Sequence, residues 1–162
     1  LPSQSDEGIY NGVYYTTDVV NIINEVTMQK HNALNILNNR PKFEAIVSLG
    51  LANGRYKDFY DIYVLADRYE LDGTELKNAI VETFTHRGTG FDDIAAFEDD
   101  FTEDATRQGR WNSFIKKKKA LVKVEFADTM QLLKVLLLPI VDAIHKAKPF
   151  EKKWDRETKT WI

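Results

Sequence analysis

Residues 55–62 place two cations and two carboxylates within about two helical turns: Arg55-Tyr56-Lys57-Asp58-Phe59-Tyr60-Asp61-Ile62. Arg55 and Asp58 are three apart and Lys57 and Asp61 four apart, so each pair shares a helix face. Cations and carboxylates this close together are either parts of a charged site or partners for one another. The same spacing also describes two ordinary ion pairs at a helix start, worth about a few tenths of a kcal/mol each. Because Phe59, Ile62, Tyr63 and Ala66 form the apolar stripe, both pairs are expected to point to solvent or into a cleft.

Other chemistries have less support. The chain has no cysteine, which excludes a disulfide framework, a cysteine-based zinc site and a thiol nucleophile. Its three histidines, His31, His86 and His145, are scattered and suggest no metal cluster. Gly88-Thr89-Gly90 is a weak phosphate-loop signal whose spacing fits no nucleotide fingerprint. Asp92-Asp93 and Glu98-Asp99-Asp100 lack metal-site spacing. Lys116 to Lys119, just after Trp111 and Phe114, is the best candidate for an RNA-facing patch, although a solvated helix is the simpler explanation. Tyr10, Tyr14 and Tyr15 could stack bases, but an arm packing onto a core also accounts for them.

The 162 residues carry a net charge of −3, with 43% hydrophobic and 29% charged content, as in one soluble domain able to bury its own core. The most apolar run, Leu132 to Ile144, is interrupted by Lys134, Pro139 and Asp142 and is too short to span a bilayer. With a polar start and no signal-like stretch, the expected location is cytoplasmic and away from membranes.

Helical periodicity positions the charged run. A helix is expected from Thr17 to about Leu37, and another from Pro41 to about Leu51 burying Phe43, Ile46 and Val47. Asn53-Gly54 breaks that helix, and the charged run opens the next, Arg55 to Tyr69. Thr74 is expected to cap a helix ending near Arg87-Gly88. A short acidic helix over Asp92–Phe97 and longer ones from Thr102 to about Lys117 and Glu125 to Lys146 follow, the last kinked or broken at Pro139. Phe150, Trp154 and Trp161 should pin the tail onto the helices. Apart from a short strand around Val13 to Thr16, no strand period is evident. The fold class is all-α: a multi-helix array of about six to seven helices with an irregular N-terminal arm. Residues 1–40 form that arm and its helix, and residues 41–162 the helical domain.

Lys42-Phe43-Glu44-Ala45-Ile46-Val47-Ser48-Leu49-Gly50, then Ala52-Asn53, then Arg55 to Ile62 resembles two adjoining blocks of one family. These are the Glu-Lys-Phe-Glu-Ala block and the Arg-x-Lys-Asp-Phe-Tyr-Asp signature of the AbiEii-type nucleotidyltransferase toxins of bacterial abortive-infection and toxin–antitoxin systems. The likeness continues through Tyr69–Gly73, Phe84, Arg87-Gly88-Thr89, Trp111-Asn112-Ser113-Phe114, Pro139, Trp154 and Trp161, and so covers residues 42–161. It implies nucleotide transfer from an NTP with Mg2+, in some members to tRNA ends, opposed by a cognate antitoxin. Carried onto this chain, Lys42 and Asp58 become catalytic residues, and Arg55, Lys57 and Asp61 substrate-binding ones.

Two departures qualify the resemblance. Pro41 stands where the family has glutamate before the lysine. The chain also has no Gly-Ser dipeptide and no Asp-x-Asp, the family's metal-binding motif, and residues 1–39 do not resemble its sheet core. Nucleotidyl transfer needs carboxylates to hold magnesium against the triphosphate. The chain is therefore expected to be a truncated or degenerate member, lacking the nucleotidyltransferase sheet core and inactive alone. No metal ligands are assigned, and neither Mg2+ nor NTP should bind tightly. Expected partners are a cognate antitoxin, the missing core, RNA, or a second copy exchanging residues 1–40. The alternative is a non-catalytic helical module that binds a partner protein or RNA.

Overall fold

The computed structural model describes residues 7–10, 13–16, 42–117 and 123–162. The helix expected over residues 17–37, the Pro41 start and Lys118-Lys119 lie outside these. Strands β1 (Glu7–Tyr10) and β2 (Val13–Thr16) pair antiparallel, with Glu7 opposite Thr16 and Tyr10 opposite Val13. The strand expected at Val13–Thr16 is present, and its pairing gives the arm a hairpin where irregular chain was expected.

Six α-helices are found among the described residues. Helix α1 (Lys42–Leu49) leads through a 3-10 turn (Gly50–Ala52) into α2 (Tyr56–Arg68), which carries the charged run. The Asn53 side-chain oxygen accepts from the Arg55 backbone N–H at 2.7 Å, a local turn that sets the entry to α2. Helix α2 packs against α1 and α6 (Phe126–His145), so the burial of Phe59, Ile62 and Ala66 extends to Tyr60, Val64 and Leu65. One turn of that core is aromatic. The Trp111 and Phe126 rings lie 5.5 Å apart, and Phe59 meets Phe126 edge-on at 6.0 Å.

Helix α3 (Gly73–Arg87) is capped by Asp72 rather than Thr74. The Asp72 carboxylate accepts from the Glu75 N–H at 3.0 Å, while the Thr74 hydroxyl donates to the Phe150 carbonyl at 3.3 Å. That Glu75 N–H, helped by Lys153, holds the Asp72 carboxyl below its ordinary range. Gly88, at φ 68°, ends α3 in the left-handed conformation.

The acidic stretch yields only a 3-10 turn (Ala95–Phe97) and a short α4 (Asp99–Thr102). Helix α5 (Ala105–Lys117) starts three residues later than expected. Asp104 accepts from the Arg107 N–H at 2.7 Å and so fixes the new start, whereas Thr102 bonds back within α4. Helix α6 passes through Pro139 without a break. Leu136, Leu137, Ile140 and Val141 around it are all buried, and their burial offsets the lost hydrogen bond.

The tail does pin the helices, as strands. Strands β3 (Leu71–Asp72), β4 (Lys153–Asp155) and β5 (Thr160–Trp161) form an antiparallel sheet with Trp154 opposite both Leu71 and Trp161. Strands of two or three residues leave no alternation to read. The Trp154 indole N–H donates to the Ala66 carbonyl near the end of α2 at 2.8 Å, and Trp161 donates to the Leu136 carbonyl of α6 at 2.9 Å.

Two substitutions test this frame. A methyl group at Gly73 would meet the Lys152 carbonyl and the Phe150 ring at 2.6 Å. Gly73→Ala should therefore lower stability in urea by about 1–3 kcal/mol. Asp72→Ala should cost about 1 kcal/mol near neutral pH. Because the Asp72 pKa is lowered on folding, its contribution is present above the ordinary carboxylate range and lost as pH falls through the folded pKa. The variant's deficit in urea should shrink correspondingly in acid.

Candidate functional site

Lys42, in the first turn of α1, projects into the first turns of α2. Its Nζ lies 2.5 Å from Asp61 Oδ2 and 3.6 Å from Asp58 Oδ1. Arg55 Nε lies 2.9 Å from Asp58 Oδ2, and Lys57 Nζ 3.7 Å from Asp61 Oδ2. All five residues singled out in the sequence thus form one network of three cations and two carboxylates.

The two pairs expected from helical spacing are present, but the carboxylates do not project into solvent. Asp58 and Asp61 are 2% and 0% exposed, and Lys42 is 4% exposed. Asp58 does border clefts, whereas Asp61 lies beneath them. The reason is Lys42, which arrives from another helix and supplies the charge that lets two acids leave water. The surface-pair energy therefore suits only the outer residues, Arg55 and Lys57, and not the buried centre.

Two clefts meet at this network. The first, of about 390 Å3, is bounded by Glu44, Ser48 and Arg87 together with Lys42, Arg55 and Asp58. The second, of about 520 Å3, shares Lys42, Arg55 and Asp58 and adds Gly54, Lys57 and Phe114. Asp58 therefore stands in a wall common to both.

The first cleft contains a group whose role sequence reasoning missed. Buried Glu44 accepts from the Thr89 hydroxyl at 2.6 Å, and Arg87 Nη1 lies 3.9 Å from its other oxygen. Glu44 had been legible only as part of a motif block. In the Gly88-Thr89-Gly90 connector, Gly88 turns the chain at the end of α3 and delivers Thr89 to Glu44.

The carboxylates bordering the clefts fit magnesium poorly. Asp58 faces Lys42 and Arg55, and Glu44 faces Thr89 and Arg87, so a dication would enter beside fixed positive charge. Among the described residues, no group of three or more His, Asp or Glu is arranged to hold a metal ion. Phosphate fits better. The side chains of Arg55, Arg87 and Lys57 are 60%, 52% and 39% exposed, with their charges at the clefts. Lys116 and Lys117 are exposed on α5, just past Phe114.

Removing the buried cation should be costly. Lys42→Met should destabilise the protein by about 3–5 kcal/mol, because Asp61 stays buried without its 2.5 Å partner and Asp58 keeps only Arg55. Adding Asp61→Asn should recover part of that loss, a non-additivity measurable by a denaturant double-mutant cycle.

The model of the nucleotidyl transferase AbiEii toxin family, from a type IV toxin–antitoxin system, matches residues 41–132. The match takes in α1 to α5, the whole network and the start of α6, and the likeness expected beyond Leu132 lies outside it. No curated protein and no solved structure matches the chain. No helix among the described residues is long and apolar enough to cross a membrane. The match spans more than half of the sequence and centres on the helices that build the site, so the chain belongs to the AbiEii family of nucleotidyl transferase toxins.

Proposed function

We propose that this chain carries the helical, phosphate-facing half of a nucleotidyltransferase site and does not complete transfer by itself. The observation that carries the reading is Asp58, clamped between Lys42 and Arg55 in the wall shared by two clefts. In this reading it would orient an attacking hydroxyl, or take its proton, between a bound triphosphate and an acceptor. Arg55, Arg87 and Lys57 would meet phosphate oxygens, while Lys42 and Asp61 hold the geometry from beneath.

The metal chemistry is assigned elsewhere. Every carboxylate bordering the clefts already faces a hydrogen-bond donor or a cation, so in this reading the ligands that hold magnesium come from outside the described residues. A core-bearing partner chain would supply them, and a cognate antitoxin would oppose the product. The chain would then represent a truncated or degenerate family member, with RNA as a candidate acceptor.

A second reading rests on a different feature. Leu49, which borders the first cleft, is 40% exposed and Leu51, two residues on, 62%, an apolar edge suited to a non-catalytic module that binds a partner protein. A second copy of the chain is one such partner.

Calorimetry with ATP and GTP, with and without magnesium, separates the readings. The half-site should bind nucleotide weakly, with no gain from magnesium, and should lose binding in Arg55→Ala and Arg87→Ala. Magnesium-dependent binding abolished by Lys42→Ala and by Asp58→Ala would overturn the assignment of the metal site to another chain. No nucleotide binding under either condition would favour the interaction module.

A further inference from the structure

The turn that enters α2 is held by a side chain 54 residues away in sequence. Its own backbone supplies two bonds: the Asn53 N–H donates to the Gly50 carbonyl at 3.1 Å, and the Arg55 N–H to the Asn53 side chain at 2.7 Å. The carbonyls of Leu51 and Asn53 lie at and just past the end of the 3-10 turn, where a helix offers no further donors. Arg107 of α5 serves both, donating to the Asn53 carbonyl at 2.7 Å and to the Leu51 carbonyl.

Arg107 is itself anchored at two points. Its backbone N–H donates to Asp104 at the start of α5, and its guanidinium carbon lies 3.8 Å from the centre of the Phe101 ring. Phe101 is fully buried and packs at 5.9 Å against Phe59, the residue that follows Asp58 on α2. One planar group therefore ties the turn that carries Arg55 to the core beneath Asp58. Arg55 needs such a reference. Its side chain is largely exposed, so packing does little to orient it, and its alignment with Asp58 follows from where its backbone starts. The contacts are Nε to Oδ2 at 2.9 Å and Nη2 to Oδ1 at 3.5 Å. A shift of the turn by about 1 Å would carry the shorter one out of hydrogen-bond range.

We infer that Arg107 is a positioning residue of the candidate site: its fork on the Leu51 and Asn53 carbonyls sets the turn that aligns Arg55 with Asp58 in the wall shared by the two clefts. Arg107 borders neither of those clefts, so it acts through Arg55 and not on a ligand. The alignment of Arg55 belongs to the ligand-free protein, whereas its use in holding an anion rests on the phosphate-facing half-site proposed above.

The test uses the whole chain and two readouts. Arg107→Lys keeps the charge but replaces the planar fork with an ammonium, and Arg107→Gln is a second, uncharged replacement. Asp72→Ala, which removes the cap of α3, is the control for lowered stability alone. In the ligand-free protein, the Arg55 Nε–H resonance, identified by its absence in Arg55→Ala, should exchange slowly with water in the parent and in Asp72→Ala. In both Arg107 variants it should move to the position and exchange rate of a free arginine. In calorimetry with tripolyphosphate, Arg107→Lys should bind about 3- to 10-fold more weakly than the parent, as for one lost contact at an open site. Once Arg55→Ala is present, Arg107→Lys should cost nothing further. The inference is overturned if the Arg55 resonance in the Arg107 variants matches the parent, or if it moves equally in Asp72→Ala. It is also overturned if tripolyphosphate binds Arg107→Lys as tightly as the parent, or if the two affinity losses simply add. If tripolyphosphate fails to bind even the parent, the phosphate-facing half-site falls, while the resonance comparison still decides whether Arg107 positions Arg55.

Discussion

An ammonium group removed from water must find negative charge, and Lys42 finds it on a different helix. Its contacts with Asp58 and Asp61 tie the start of α1 to the first turns of α2 through a buried ion network. Buried charge tolerates little displacement, because every ångström lost in a low-dielectric site weakens attraction without restoring hydration. The relative placement of the two helices is therefore constrained by this charge balance as well as by the apolar residues around it. The clefts, and the cations that face them, follow from that placement.

The connection between α1 and α2 is braced from a third direction. The Arg107 guanidinium donates to the Asn53 carbonyl at 2.7 Å and to the Leu51 carbonyl, and lies 3.8 Å above the Phe101 ring. Two backbone carbonyls outside regular helix are thus satisfied by a side chain from α5. The turn that delivers Arg55 to Asp58 is held by an element that borders the second cleft through Phe114. Packing and recognition surface are coupled through α5.

The sequence revealed local features better than distant ones. The Arg55/Asp58 and Lys57/Asp61 spacings forecast the two pairs on α2, and the apolar period located its buried face. Nothing in that period could show that Lys42, 19 residues from Asp61, would complete the network, since this depends on how two helices cross. The resemblance to a family, not periodicity, brought Lys42 into the candidate set. Glu44 illustrates the same limit: its partner Thr89 is 45 residues away, and only the turn at Gly88 brings them together. Thr74 was a reasonable cap by residue type, but its hydroxyl donates to the Phe150 carbonyl and the preceding Asp72 caps the helix instead. The tail's tryptophans were recognisable anchors, but strands this short carry no alternation by which a sheet could be foreseen.

The sheet that closes the fold also constrains when the fold can form. Trp154 reaches back 88 residues to the Ala66 carbonyl, and β4 pairs with the strand leading into α3. During synthesis, when the chain emerges from its N-terminal side, the helices carrying the ion network leave the ribosome well before this seal. Until then the end of α2 and the edge of β3 lack their partners, and closing so long a loop is slow. The nascent chain thus passes through an interval in which its charged helices exist but their final clasp does not, which is the stage at which a chaperone would have most to cover.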